Sequence, residues 1–341
     1  MEHNILIIGG NGLVGKTIAR ILKSRNPQLN IFIGGRKGGK TNKDLKIDVT
    51  DPNTFQAISD KKIDLIILSV NDKTDHVLQF AIENKIDYLD ITKPTPDLVK
   101  AYSIAGKKEV NSRIVFSSGW MGGIVPGLVN VLSNNSIDVQ EAKLFVYYSV
   151  KDLAGESSAH FMAENVAVPF YRYKNDRPVK IRHFLDTETF DFSFGVGKRS
   201  AYNFDVPDLY ILNKIERISD VSVKMTYNSK FITWLLGGFQ YLRIFNILSL
   251  KERRMIFGSS GNGDQSIFEI VIKNNNGYKK LSLQSTKGQA ELTALSAVLH
   301  TEELLRNPHE SNVYFSHQLH EPLSLMAQLN AYETININVT Q

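Results

Sequence analysis

The chain of 341 residues contains no cysteine. Disulfides, thiolate nucleophiles and cysteine-type zinc sites are therefore excluded, and a reducing, cytoplasmic setting is the expectation. Internal repeats and low-complexity segments are missing as well. No block of like charge is present: the formal balance of +5 is spread along the sequence, so no nucleic-acid partner is expected. Long apolar runs are also lacking. The most hydrophobic stretch, FITWLLGGFQYLRIFNILSL from Phe231 to Leu250, meets Arg243 well short of the roughly 18 to 20 uncharged residues that span a bilayer. It reads as a buried or interface helix, and no membrane partner is expected. Residues Met1 to Asn4 are polar and lead directly into a strand, so no signal peptide is expected.

What is present is ordinary in amount and informative in order. Apolar and charged fractions of 42% and 22% belong to a globular protein, and the length favours two domains. From Asn4 to about Ser117, β-branched runs alternate with helical ones. NILIIG, NIFIG, DLKIDV, DLIILSV, DYLDI and RIVFS read as short strands apolar on both faces, as in a covered parallel sheet. Helices are predicted over Asp75 to Asn84 and Pro96 to Gly106, the second with a proline at its start and a glycine at its end. This alternation predicts an α/β fold with a doubly wound parallel sheet. After SSGWMGGIVPGLVNVL come longer alternating strands, AKLFVYYSV and SIFEIVIKNNNGYKKLSLQS, the latter broken by an Asn-Asn-Gly hairpin turn. The expected organisation is a first domain over residues 1–125, completed by C-terminal helices at about 288–341, with an α+β domain inserted over 126–287.

Gly10-Asn11-Gly12-Leu13-Val14-Gly15 sits between the first strand and a helix, which is the context of a dinucleotide-binding Rossmann loop. The first glycine is expected to make the tight turn, the second to admit a pyrophosphate, and the third to let helix and strand pack. An NAD site places a carboxylate about 20 residues further on. Here IFIGGRKGGK offers none and supplies Arg36 and Lys37 instead. A guanidinium forks onto a 2′-phosphate that an acid would repel, so NADP is the expected cofactor. The alternative is a solvated basic loop, with Lys40 and Lys43 as more of the same. Asp48 is placed to reach an adenine amino group and Val49 to line the base, although Asp48 also suits an N-cap role with Thr50 and Asp51. Ser69, Val70 and Asn71 end the fourth strand, at the edge where open α/β sheets bind ligands.

These segments, with AIENKIDYLDIT, GIVPGLVNVL and the closing GQAELTALSAVLHTEELL, resemble the saccharopine dehydrogenase family, in its saccharopine reductase-like branch. The resemblance implies an NADP-dependent oxidoreductase that moves hydride at the carbon–nitrogen bond of an imine or secondary amine derived from an amino acid. It implies a second domain for small-molecule substrate binding and dimerisation, and hence a homodimer. It carries Asn11, Leu13 and Val14 with the glycines to the pyrophosphate loop, and Ser69 to Asn71 to the nicotinamide side. It places Gly123, Pro126 and Gly127 on the floor near the reacting ring. SSGWMGG departs from the family: Trp120 and Met121 are bulkier than expected, and either shapes a different substrate pocket or serves as a buried anchor.

Imine reduction also needs a proton source and cations for substrate carboxylates. The candidates are His160 and Lys93 for the proton and Arg182 for a carboxylate, with Asp90 orienting Lys93 or capping its loop. Two other enzyme readings are weaker. An extended short-chain dehydrogenase or epimerase needs Tyr and Lys four apart on a helix; Tyr147 and Lys151 fall in a strand-like run, and Tyr210 and Lys214 come late in the chain. His317 and His320 have helical spacing for a metal but no third ligand. A non-catalytic NADP-binding sensor is the reading from another class.

Overall fold

The six apolar runs are strands in the computed structural model, which describes residues 3–39, 41–133, 139–152, 155–258 and 263–340. Met1, Glu2 and Lys40, which entered the sequence reading, lie outside the described residues. The strands are β1 (Asn4–Ile8), β2 (Asn30–Gly35), β3 (Asp44–Lys46), β4 (Leu65–Leu68), β5 (Asp87–Asp90) and β6 (Arg113–Phe116). β4 is buried at every position and β1 at all but its first, as parallel strands covered on both faces require. β3 ends sooner than DLKIDV suggests, because the Asp48 carboxylate accepts the Thr50 amide at 3.0 Å and turns the chain. The helices among these strands are α1 (Leu13–Arg25), α2 (Gln56–Ser59), α3 (His76–Glu83) and α4 (Thr95–Ala105). α3 buries Val77, Leu78, Ala81 and Ile82, one stripe of a 3.6-residue period.

The chain continues with α5 (Val125–Ser133), β7 (Val139–Tyr148), α6 (Glu156–Asn165), β8 (Phe170–Lys174), β9 (Arg177–Ile181), β10 (Glu188–Phe192) and β11 (Gly197–Asn203). Next come α7 (Asp208–Tyr210), β12 (Asp220–Tyr227), α8 (Lys230–Tyr241), α9 (Ile244–Ile247), α10 (Leu250–Phe257), β13 (Ser266–Asn274) and β14 (Gly277–Ser285). The last elements are α11 (Gln289–Arg306), β15 (Asn312–Phe315), α12 (Pro322–Asn330) and β16 (Ile335–Thr340).

Two sheets result. The first runs β3-β2-β1-β4-β5-β6-β15, parallel throughout. Its order reverses between β1 and β4, which is the Rossmann arrangement and its switch point. The second has the path β10-β11-β12-β7-β13-β14-β16, with β8 and β9 as a hairpin on β12. β13 and β14 form the expected hairpin, pairing Asn274 with Gly277. β7 and β12 run parallel, however, so this sheet is mixed; alternation reports one covered face and carries no direction.

The chain divides into two compact units, Met1–Ile124 with Thr293–Glu321, and Val125–Leu292 with Pro322–Gln341. The expected completion of the first domain by 288–341 therefore stops at Glu321. β16 pairs antiparallel with β14 over six residues, and that ladder draws the last segment into the second unit. The Phe231 to Leu250 stretch is likewise not one helix. Arg243 takes a left-handed φ of +57° and separates α8 from α9, and Phe231, Trp234, Tyr241, Leu242 and Ile247 are exposed rather than buried. Among the described residues no helix is long and apolar enough to cross a membrane.

Four of the described histidines are buried, His183, His300, His317 and His320. In the first unit His300 Nε2 is 2.7 Å from the Gly122 carbonyl, which can only accept, so that nitrogen carries the proton. His300 Nδ1 then accepts from His320 Nε2 at 2.7 Å. Burial holds both rings neutral, pushing His300 down to about 4 and His320 to about 2 from 6.5. His183, in the second unit, is pushed down to about 3 for the same reason. Below 6.5 the unfolded chain takes up protons that the folded rings refuse, so this contribution to stability is full above 6.5 and is lost as pH falls towards those values. Each ring contributes a slope of up to about 1.4 kcal/mol per pH unit in that window. Urea unfolding at pH 7 and pH 5 should show a smaller pH effect in His300→Asn than in the parent chain. An equal effect in both would remove the buried imidazole from the account.

Candidate functional site

β1 brings the chain to the carboxyl edge of the first sheet beside β4, where the glycine loop begins. Gly9 adopts φ +84°, the left-handed region that favours glycine. The tight turn expected of Gly10 is thus made by its neighbour. Gly10 is fixed by packing instead, since a Cβ there would lie 2.8 Å from Ile33 Cδ1. A reading that starts the motif at Gly10 has no means of seeing this. At Gly15 a Cβ would fall 2.5 Å from the Gly9 carbonyl oxygen and 2.8 Å from Ser69 Oγ. Only glycine lets α1 approach so closely. Asn11 lies against the end of β2, its Nδ2 3.3 Å from where a Gly35 Cβ would be. The sequence reading did not single out Gly35.

The N-terminus of α1 is open. Gly12 supplies no side-chain cap and no acid stands in the first turn. The first intrahelical bond is Lys16 N–H to the Gly12 carbonyl at 2.9 Å, which leaves the amides of Leu13, Val14 and Gly15 without acceptors inside the helix. Those donors and the positive dipole end suit an anion.

Arg36 and Lys37 follow β2 and are exposed. Among the described residues neither side chain makes a hydrogen bond or ion pair. Asp48 stands near Arg36 after β3. Its carboxyl is held below the usual range by the Thr50 amide, then by the Thr50 hydroxyl, with Arg36 adding attraction against a small desolvation penalty. The amide and hydroxyl both bind Oδ1, at 3.0 and 2.8 Å. Capping of the next turn falls to Asp51, whose carboxylate accepts from the Asn53 amide at 3.1 Å. Val49, half-buried, accepts from Thr74 Oγ1 through its carbonyl at 3.4 Å. Ser69 ties the end of β4 to β1, donating Oγ to the Ile8 carbonyl at 2.9 Å. Val70 is half-buried. Asn71 donates to Asp97 at 3.1 Å while its Oδ1 is buried without a partner.

Lys93 and Asp90 do come together, inside the first unit. Lys93 is 1% exposed; its ammonium lies 2.7 Å from Asp75, 3.6 Å from Asp90 and 2.7 Å from the Asp72 carbonyl. Burial alone would push the Lys93 ammonium down, but Asp90 and then Asp75 hold it above the ordinary lysine value. Burial pushes the Asp90 carboxyl up, opposed by Lys93, Thr92 and Tyr88. Asp72 fastens the loop after β4, accepting from the amides of Asp75 at 3.0 Å and Val77 at 2.9 Å. Lys93 thus joins the loops that follow β4 and β5. Asp72 and Asp75 were missed; the run SVNDKTDH showed acids but not which loop they close.

The remaining candidates divide between the units. Trp120 is 8% exposed, a buried position. Gly123, in the turn Met121–Gly123, has φ +76° and leaves no room for a Cβ beside Ser117 and Ser316. Pro126 and Gly127 are buried in the first turn of α5, within the second unit. His160 also belongs there, on α6, with Nε2 3.2 Å from Glu164. Arg182 follows β9 and is half-buried. Tyr147 lies on strand β7, where burial pushes its phenol up, the reverse of what an activated tyrosine needs. Lys214 lies 4.7 Å over the Tyr173 ring. His317 is buried, His320 is paired with His300, and no metal-binding cluster occurs among the described residues.

No protein-family model and no curated protein matches the chain. Solved structures do. A dipicolinate-bound dihydrodipicolinate reductase from Paenisporosarcina sp. TG-14 shares 10% identity over 93% of this chain and 99% of its own, with a TM-score of 0.44. A multiply substituted meso-DAPDH from Clostridium tetani E88, solved with DAP, shares 14% identity over 96% and 100%, with a TM-score of 0.43. A Gfo/Idh/MocA family oxidoreductase from Vibrio cholerae shares 9% identity over 96% and 99%, with a TM-score of 0.41. The fold assignment rests on the strand order given above.

Lys100 also pairs with Asp75, at 2.7 Å, but removing the Lys93 charge leaves the buried Asp90 carboxylate without its cation, and breaking a buried pair from one side costs about 3–5 kcal/mol. Lys93→Met should therefore lower the urea midpoint sharply. A residue serving only as proton donor would instead lose turnover at unchanged stability.

Proposed function

We propose that the first unit binds NADP and that the chain is an NADP-dependent oxidoreductase. The observation that carries this is the union, at the switch point, of an uncapped helix N-terminus with two uncommitted cations after β2. The residues fit the dinucleotide. Gly12 has only the Gly9 carbonyl, at 3.2 Å, near its Cβ position, which leaves the approach to the amides open for a pyrophosphate. Arg36 and Lys37 would hold the 2′-phosphate, Asp48 and Val49 the adenine, and Asn71 Oδ1 a donor on the nicotinamide side. The bound group supplies hydride; the chain supplies position and charge.

For the substrate, the family resemblance supports a carbon–nitrogen bond in an amino-acid-derived imine or secondary amine. Arg182 would then meet a carboxylate and His160, steadied by Glu164, would serve the proton. Trp120 and Gly123 in the first unit, and separately Pro126 and Gly127 in the second, are the candidates for substrate contact. A second reading, a dinucleotide sensor without turnover, is favoured by one observation: Lys93 and Asp90 are already consumed by structure.

Fluorescence titration should show NADPH held more tightly than NADH. Arg36→Ala should weaken NADPH about tenfold or more, from the loss of charge-assisted hydrogen bonds, and leave NADH unchanged. Equal affinity for the two, or binding of neither, would overturn the assignment. NADPH oxidation with oxo acids and amines would establish turnover; binding without oxidation would establish the sensor.

A further inference from the structure

The segment from Lys230 to Gly258 presents an apolar surface that the proposed function does not use. Large apolar side chains exposed singly are ordinary. Here they are concentrated: Phe231, Trp234, Tyr241, Leu242, Ile247 and Met255 are each at least 63% exposed, all on α8, α9, α10 and the short turns between them. On α8 and its C-cap the spacing of Phe231, Trp234, Tyr241 and Leu242 puts them on one stripe, while Thr233, Leu236, Gly237 and Gln240 form the buried one. Trp234 and Phe231 lie side by side, ring centres 6.2 Å apart. A helix apolar on both faces needs a second apolar neighbour or a lipid one.

Charge decides between these. The exposed charges of residues 230–258 are Lys230, Arg243 and Lys251 against one acid, Glu252. That acid is exposed and caps its own helix, its carboxylate accepting the Ser249 amide and hydroxyl at 2.7 Å each. A two-fold pairing of the same patch would bring three exposed cations from each copy against a single exposed carboxylate, Glu252. Apolar and aromatic side chains beside lysine and arginine match instead an interface whose outer layer is anionic and whose inner layer is hydrocarbon. We propose that α8, α9 and α10 form a peripheral docking surface for an anionic phospholipid bilayer, lying on the membrane without crossing it. The break at Arg243 serves this, since short helices lay successive apolar side chains onto a surface that one straight helix would meet along a single line. The proposal reverses the sequence-based expectation of no membrane partner and stands independently of the cofactor.

Co-sedimentation of the full chain with phosphatidylcholine vesicles, with and without phosphatidylserine, tests it. Trp234 should shift its emission to the blue on phosphatidylserine vesicles, and binding should fall with salt. Each cation near an anionic surface adds roughly fivefold to partitioning, so Arg243→Ala with Lys251→Ala should weaken it about thirtyfold. Trp234→Ser with Ile247→Ser should abolish it. All four positions are exposed, so the unfolding midpoint should stay that of the parent, as should any NADPH affinity. Failure to bind phosphatidylserine vesicles would overturn the proposal. So would sedimentation as a lipid-free dimer that Trp234→Ser converts to monomer, which would give the face to a second copy of the chain.

Discussion

Helix α1 comes nearer to the end of β1 than any side chain would permit, and the arrangement of the first unit's carboxyl edge follows from that contact. The carbonyl of Gly9 occupies the space a Cβ on Gly15 would need, with the Ser69 hydroxyl filling the other side. Because the helix is held there, its free amides stand at the reversal of strand order and not beyond it. Because Ser69 is bound to the Ile8 carbonyl, β4 ends level with β1. Asn11 in the glycine loop reaches the end of β2.

The same residue types serve opposite ends in this unit, and burial decides which. Arg36 and Lys37 are exposed beyond a strand end and free to meet an anion. Lys93 is sealed among carboxylates and a carbonyl, where its charge holds two loops together. Once enclosed, such a cation is costly to disturb: Asp75 keeps Lys100 as a second partner, but Asp90 depends on Lys93 for compensation. The histidines follow a third course: burial leaves them neutral, and a carbonyl fixes which nitrogen keeps the proton.

The fold was largely legible in the sequence and the site only partly. Continuous apolar runs such as LIIL and NILII mark covered parallel strands whatever surrounds them, and the glycine spacing marks the loop. β15 was not legible: NVYF is four residues with no period of its own, and its place beside β6 is set by long-range pairing. The fate of β16 was hidden for the same reason. The division of labour between Gly9 and Gly10 depends on a single dihedral angle, and a motif does not specify it. The neighbours of Lys93 were not legible either, because Asp75 and Asp72 lie far enough upstream that only the fold brings them together.

The late arrival of β15 bears on how the protein is made. Residues 1–124 contain six of the seven strands of the first sheet, but the seventh is encoded after the whole of Val125–Leu292. During synthesis β6 emerges as an open edge and keeps its unpaired amides and carbonyls until the ribosome has passed Phe315. The nascent first unit must therefore wait, unfinished, while its neighbour is translated, and any chain released early carries a raw β edge that invites pairing with other copies.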